Sequence, residues 1–281
     1  MTEIKRDLTD TRKEGLDKFY TTSACSKKCI DTIFGLYDIP KWDLIVEPSS
    51  GDGSFFNQIP TDKKVGLDIA PEHEDIIKMD FFNYNPPSDK KNIMVLGNPP
   101  FSGSLAVHFF NHSAKWANVI AFIIPRTFRK RSIINRLNKN FHLVYDDELP
   151  TTPCCFTPKM SVKCCFQIWE RRDIERPKIT FPKKHNDWEF LKTGSGNTIG
   201  QPESSLDADL AIRAFGGLVG EIRVDNFNEL TTRSWLWVKS NISLNILVKR
   251  LSQLDYSCGM NTARQNSLCQ YEIVALYSEK Y

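Results

Sequence analysis

Four short apolar runs, spaced along the first half of the chain, constrain its fold most. They are Trp42-Asp43-Leu44-Ile45-Val46, Lys64-Val65-Gly66-Leu67-Asp68, Asn92-Ile93-Met94-Val95-Leu96-Gly97 and Val119-Ile120-Ala121-Phe122-Ile123-Ile124-Pro125. Runs of this length and apolarity, bounded by turn residues, read as strands buried on both faces of a parallel sheet. Helical patterns lie between and around them. Ala24, Ile30, Ile33, Phe34 and Leu36 recur at near-helical spacing over 22–37, and helices are also expected over 105–117 and 133–141. Strands alternating with helices predict a doubly wound α/β sheet.

The pattern changes beyond 141. Residues 141–145 and 161–170 read as antiparallel strands at the sheet edge, around a Pro-rich loop over 149–159. Residues 172–205 are rich in Pro, Lys, Gly, Ser and Asn and read as a linker. A second set of elements follows: a bend or bulge at Gly216, Gly217 and Gly220, a strand over 234–238 and a helix over 242–254. The expected division is a catalytic domain over 1–172 and a smaller region over 173–281, with a polar arm over 1–20.

Composition narrows the class. Apolar content of 41% and charged content of 25% are ordinary for a globular protein. The net charge of +3 is compatible with a polyanionic partner without pointing to one. No apolar stretch is long enough to cross a membrane, and residues 1–14 lack the apolar core of a secretory signal. A cytoplasmic or nuclear compartment, without membrane attachment or secretion, is therefore expected. The eight cysteines should then be thiols. Cys154-Cys155 and Cys164-Cys165 are adjacent pairs, whose side chains on a strand point to opposite faces. They read as small buried hydrophobes, and no metal is expected.

Three strand tips carry chemistry. Glu47-Pro48-Ser49-Ser50-Gly51-Asp52-Gly53-Ser54-Phe55 follows the first strand. Its glycines let backbone approach a ligand, but it is neither a GxGxxG fingerprint nor a P-loop. Its acidic residues suit a cationic ligand better than a phosphate. Asp68, at the tip of the second strand, could accept both hydroxyls of a ribose. Asp80, in Met79-Asp80-Phe81-Phe82, could accept from an adenine amino group beside a packing aromatic; an Asp capping a loop is the alternative.

The third tip bears Asn98-Pro99-Pro100-Phe101. Two prolines remove two N–H donors and leave carbonyls, and Asn98 adds a side-chain carbonyl. Such a turn is an acceptor pair for an –NH2 group. The lone pair of an aryl amine is delocalised into its ring. Accepting from both amine hydrogens favours a tetrahedral nitrogen whose lone pair can attack in line. Phe101 offers a flat surface for stacking.

With these residues in that order, the chain resembles the gamma class of DNA adenine-N6 methyltransferases over about 1–170. The resemblance implies a Rossmann-like class I methyltransferase fold: α/β, mostly parallel, with an antiparallel edge hairpin and a small C-terminal region. It implies S-adenosyl-L-methionine as cofactor, held by Phe19, Tyr20 and Thr21 of a closing segment. Glu47, Ser49, Gly51, Asp52 and Gly53 of the loop, Asp68, Ile69, Asp80, Phe81 and Asn98 would complete that site. It makes Asn98, Pro99, Pro100 and Phe101 the catalytic tetrapeptide. Phe156 corresponds to an aromatic on the other face of an extruded base, with a hairpin-tip hydrophobe as the alternative. Arg126, Arg129 and Lys130 could hold phosphates, or solvate a helix start. Trp235 and Trp237 share a face and read as core. The implied partner is nucleic acid, double-stranded DNA before RNA, and a homodimer is left open. Two features depart from the family pattern: the tetrapeptide ends in Phe rather than the commoner Tyr, and the recognition region over 173–281 is small. Methylation of RNA adenine, of a protein glutamine amide, or a non-catalytic nucleic-acid-binding role are the alternatives.

Overall fold

A computed structural model describes residues 18–180, 182–192 and 198–281. The arm expected over 1–20 lies mostly outside the described residues. The chain divides into two compact units, 1–178 and 179–281.

In the first unit the elements are β1 (Tyr20–Thr21), α1 (Ser23–Leu36), β2 (Leu44–Glu47), β3 (Lys64–Asp68), β4 (Ile77–Lys78), β5 (Ile93–Gly97), α2 (Leu105–Ser113), β6 (Val119–Pro125), α3 (Arg131–Ile134), β7 (Phe141–Glu148), β8 (Phe156–Thr157) and β9 (Cys164–Arg171). Seven strands form one sheet in the order β4-β3-β2-β5-β6-β9-β7. The first five pair in parallel, and β9 runs antiparallel to both β6 and β7. The Rossmann-like α/β fold with an antiparallel edge hairpin is therefore the one the chain adopts. The hairpin's second strand, β9, is inserted between β6 and β7.

Every residue of β5 and β6 is buried, because both sheet faces are covered. Alternate residues serve the two faces. Val95, Ile120, Phe122 and Ile124 pack with Phe109 and Phe110 of α2 on one side. Met94, Leu96, Ala121 and Ile123 pack with Cys29, Ile30 and Ile33 of α1 on the other. Cys164 and Cys165 point into opposite cores, as adjacent strand residues must.

Two expected helices are corrected. The pattern over 105–117 holds as helix to Ser113, after which Trp116 and Ala117 donate to the Ser113 carbonyl in a tightened turn. The helix expected over 133–141 is one turn, Arg131–Ile134. Its asparagines take other partners: Asn138 N donates to Asn111 Oδ1 at 2.8 Å and Asn140 N to Asn138 Oδ1 at 3.0 Å. Asparagine competes with helix in this way.

In the second unit β10 (Trp188–Phe190), β11 (Leu210–Arg213), β12 (Ile222–Arg223) and β13 (Trp235–Ser240) form an antiparallel sheet in the order β10-β13-β11-β12. Two helices, α4 (Leu244–Ser252) and α5 (Gln270–Lys280), contribute Leu247, Leu251, Ile273, Val274 and Tyr277 to its core. Trp235 and Trp237 are buried, as their alternation implied. The linker expected over 172–205 needs correction, since it contains β10, whose Trp188 is buried against Tyr277 and Phe190. Glycines 216 and 220 take positive φ in the turn between β11 and β12. No helix among the described residues is long and apolar enough to cross a membrane.

Candidate active site

After β2 the chain steps outward to β3 and β4, then returns to place β5 on the other side of β2. Such a reversal opens a crevice at the strand tips, where open α/β sheets bind ligands. A cavity of about 290 Å³ lies there. It is lined from the tips of β2, β3 and β5, from the segment 18–21, and from Phe82 and Phe109.

The loop after β2 is shaped by its glycines. Gly51 has φ +51°, and a Cβ there would lie 2.7 Å from the Tyr20 ring, so only glycine admits both the turn and the ring. Gly51 N donates to Asp68 Oδ2 at 2.8 Å, and Ala70 N donates to Asp68 Oδ1 at 2.8 Å. Two backbone amides thus aim the Asp68 carboxylate, and each oxygen keeps a lone pair for a ligand. Asp52 lines the cavity while accepting from the Ser54 amide and hydroxyl. Gly53, expected in the cofactor site, does not line the cavity; its φ of +83° turns the loop beside Asn57 and His73.

Glu47 ends β2 and is 2% exposed. Burial pushes its carboxyl well above the ordinary carboxylate range, and the charges of Asp52 and Asp68 push the same way. The Ser50 hydroxyl and the Phe56 amide oppose that shift. Gly97, with φ +137°, leaves room for the Glu47 side chain, whose Cγ would be 3.0 Å from a Cβ there.

At the tip of β5, Asn98 Nδ2 donates to the Phe19 carbonyl at 3.2 Å. The Asn98 backbone carbonyl accepts from Ser49 Oγ at 3.0 Å. Pro99, Pro100 and Phe101 continue along the cavity wall. Nine buried polar side-chain atoms lack a partner among the described residues. Three of them, Asn98 Oδ1, Glu47 Oε2 and Thr21 Oγ1, belong to residues that line this one cavity. A buried polar atom without a partner costs stability, so three on residues of one cavity make it the candidate ligand site.

The remaining expected residues divide. Phe19, Tyr20, Thr21, Ser49, Ile69, Asp80 and Phe81 line the cavity. Asp80 also caps the turn after it, accepting from Phe82 N at 3.0 Å, as its alternative reading expects. Phe81 is 1% exposed and stacks on Phe109 within the core; the exposed neighbour is Phe82. Phe156 does not line the cavity. It is buried, edge-on to Phe101 with ring centroids 6.3 Å apart, so it backs Phe101 rather than facing it. Its alternative reading, a hairpin hydrophobe, is the one its burial fits. Arg126 pairs with Glu148, and Arg129 pairs with both Asp146 and Glu148. The Asp146 carboxylate raises the Arg129 guanidinium further above its ordinary range. Neither arginine lines the cavity, nor does Lys130. Sequence reasoning did not name Phe82, Phe109 or Ala70. The signal for Phe82 was present, an aromatic directly after the Asp80-Phe81 pair.

No known protein family matches the sequence, and no curated protein does either. Among solved structures, the chain is similar to the 23S rRNA methyltransferase ErmE, at 13% identity and a TM-score of 0.41, over 54% of this chain and 69% of that one. It is similar to magnesium protoporphyrin IX methyltransferase from Synechocystis, solved with bound SAM, at 11% identity and a TM-score of 0.40, over 53% and 79%. It is also similar to a modification subunit ascribed to a type I restriction enzyme from Vibrio vulnificus, at 15% identity and a TM-score of 0.39. That match covers 70% of this chain but half of the subunit. These are likenesses of fold at low identity. The chemistry of the site rests on its own residues.

Proposed function

We propose that this protein is an S-adenosylmethionine-dependent methyltransferase that acts on the N6 amino group of adenine in DNA, with residues 173–281 contributing target recognition. One observation carries the reading: the Asn98 amide nitrogen is bonded to the chain, which leaves its oxygen a buried acceptor without a partner on a residue that lines the cavity.

The residues fit the cofactor. Asp68, aimed by two amides, suits a vicinal diol. Glu47, a buried acid with an unpartnered oxygen, suits a cationic group, as does neighbouring Asp52. Asp80 has a second carboxylate oxygen for an amino group, beside the apolar Ile69 and Phe82. When bound, S-adenosylmethionine supplies an electrophilic methyl group on a sulfonium.

The chain's own residues then act on the acceptor. Asn98 Oδ1 accepts one N–H of the adenine amine, and the Pro99 carbonyl accepts the other. Both bonds draw the nitrogen toward tetrahedral geometry and free its lone pair. Phe101, buttressed edge-on by Phe156, supports the base by stacking. A base extruded from a duplex gives up stacking there, and this wall replaces part of it. Methylation leaves the nitrogen cationic and acidic, so its extra proton passes to solvent. Positioning supplies the rate without a strong general base.

Two substitutions separate the roles. Asn98→Ala should lower methyl transfer by about a hundredfold or more while cofactor affinity, read by calorimetry, stays near that of the parent protein. Asp68→Ala should instead weaken the cofactor by about tenfold or more, the scale of hydrogen bonds to a charged group. Normal turnover in Asn98→Ala sinks the catalytic assignment, and an unchanged cofactor Kd in Asp68→Ala sinks the ribose assignment.

A further inference from the structure

An asparagine amide has two ends of opposite hydrogen-bonding sense. Turned over, Asn98 would offer N–H donors to an amine that itself donates, and the acceptor pair would be lost. The Phe19 carbonyl, 3.2 Å from Nδ2, is an acceptor and can be met only by the nitrogen end. The Phe19 carbonyl therefore decides which end of the Asn98 amide is left without a partner.

Phe19 is held from two sides. After it, Tyr20 and Thr21 pair with Thr157 and Phe156, and Thr22 N donates to the Cys155 carbonyl at 2.8 Å. Before it, Lys18 Nζ lies 3.5 Å from Glu72 Oε1, and Tyr20 Oη donates to the same oxygen at 2.6 Å. Glu72 N in turn donates to the Gly51 carbonyl at 2.9 Å, and Gly51 carries the Tyr20 ring. The loop that aims Asp68 and the carbonyl that aims Asn98 are thus joined through one tyrosine.

We propose that Tyr20 is a positioning residue: its hydroxyl bond to Glu72 holds the Phe19 carbonyl against Asn98, so that the amide oxygen and not the amide nitrogen meets the acceptor amine. This rests on the reading of Asn98 as the amine's acceptor. It gives Tyr20 a role in orienting the chemistry that is separate from contact with the cofactor. Tyr20 touches no reacting atom in this role and acts through Phe19.

The test is steady-state transfer at saturating cofactor, with cofactor Kd measured by calorimetry, for Tyr20→Phe, Glu72→Ala, Glu72→Gln, the Tyr20→Phe/Glu72→Ala pair and Asn98→Ala. Tyr20→Phe keeps the ring on Gly51 and removes only the hydroxyl. It and Glu72→Ala should each lower kcat by about fivefold or more, with acceptor KM and cofactor Kd within about twofold of the parent protein. Glu72→Gln keeps an oxygen that accepts from the tyrosine and should recover most of kcat. The pair should be no slower than Glu72→Ala alone, since the tyrosine's bond to Glu72 is already lost there. Unchanged kcat in Tyr20→Phe while Asn98→Ala is inactive overturns the role of Tyr20 and leaves Asn98 standing. A weakened cofactor Kd with kcat intact also overturns it, because Tyr20 then acts only as a cofactor contact. Normal turnover in Asn98→Ala removes the underlying reading and this one with it.

Discussion

Glu47 is the residue at which the site's chemistry and the protein's stability oppose one another. Its carboxyl is buried and held well above its ordinary value near 4.5. In the free protein the neutral form is favoured, so its stabilising contribution is complete below the unfolded value and fades as pH rises through the folded one. A cationic ligand reverses this preference by favouring the carboxylate. Glu47→Gln, measured by thermal melts without ligand, should therefore lose stability less steeply than the parent as pH rises above the ordinary carboxylate value near 4.5. The same variant should bind cofactor about tenfold more weakly at the alkaline end. Parallel stability profiles for the two proteins would mean that Glu47 is not held neutral by burial. Sequence alone placed Glu47 beside a cationic ligand from its position after β2. It could not supply the missing partner of Oε2, because that depends on residues fifty positions away packing around it.

At the scale of elements, legibility followed burial on both faces. The strand β6, buried at every residue, was readable to the residue, because an apolar run bounded by turns has few other solutions. The one-turn α3 was misread because Asn138 and Asn140 interrupt a periodic pattern with side chains that bond elsewhere. β10 was missed because three residues, Trp188-Glu189-Phe190, give one alternation inside a Lys- and Pro-rich stretch. α5 went unread although Cys269 and Glu272 form a capping box at its start, with Cys unusual as the cap. One side chain adds most to the end of the first unit, beside the bonds of Arg172 N to the Asn140 carbonyl and of Arg176 N to the Lys139 carbonyl. Arg176 donates to the carbonyls of Phe141, Ile134, Leu137 and Asn138 and lies over the Trp169 ring, which keeps 172–176 on the first unit rather than in a linker. Arg176→Ala should lower stability by about 2–3 kcal/mol, seen in urea as a lower midpoint with an unchanged slope. An unchanged midpoint would mean that these bonds add nothing beyond what water replaces.

For the whole molecule, the charge excess lies in one part of the sequence. Residues 179–281 carry eleven Lys and Arg against eleven Asp and Glu, so the net +3 belongs to residues 1–178. Under the proposed reading, attraction to phosphates would therefore come from residues 1–178 rather than from the C-terminal residues. The fold itself accommodates many chemistries, and only the residues at its strand tips select among them. The order of those tips was legible because each motif directly follows an apolar strand. The roles of Phe156, Arg126 and Arg129 were not, because burial and ion pairing are properties of the folded chain. The central claim is transfer to the N6 amine of adenine in DNA. It is tested most directly by incubating the protein with labelled S-adenosylmethionine and matched panels of duplex DNA, single-stranded DNA and RNA, then digesting to nucleosides. Label should appear in N6-methyldeoxyadenosine and be abolished by Asn98→Ala. Label confined to RNA adenosine would contradict the choice of DNA, and label in cytosine or protein, or no transfer by a protein that binds the cofactor, would contradict the claim itself.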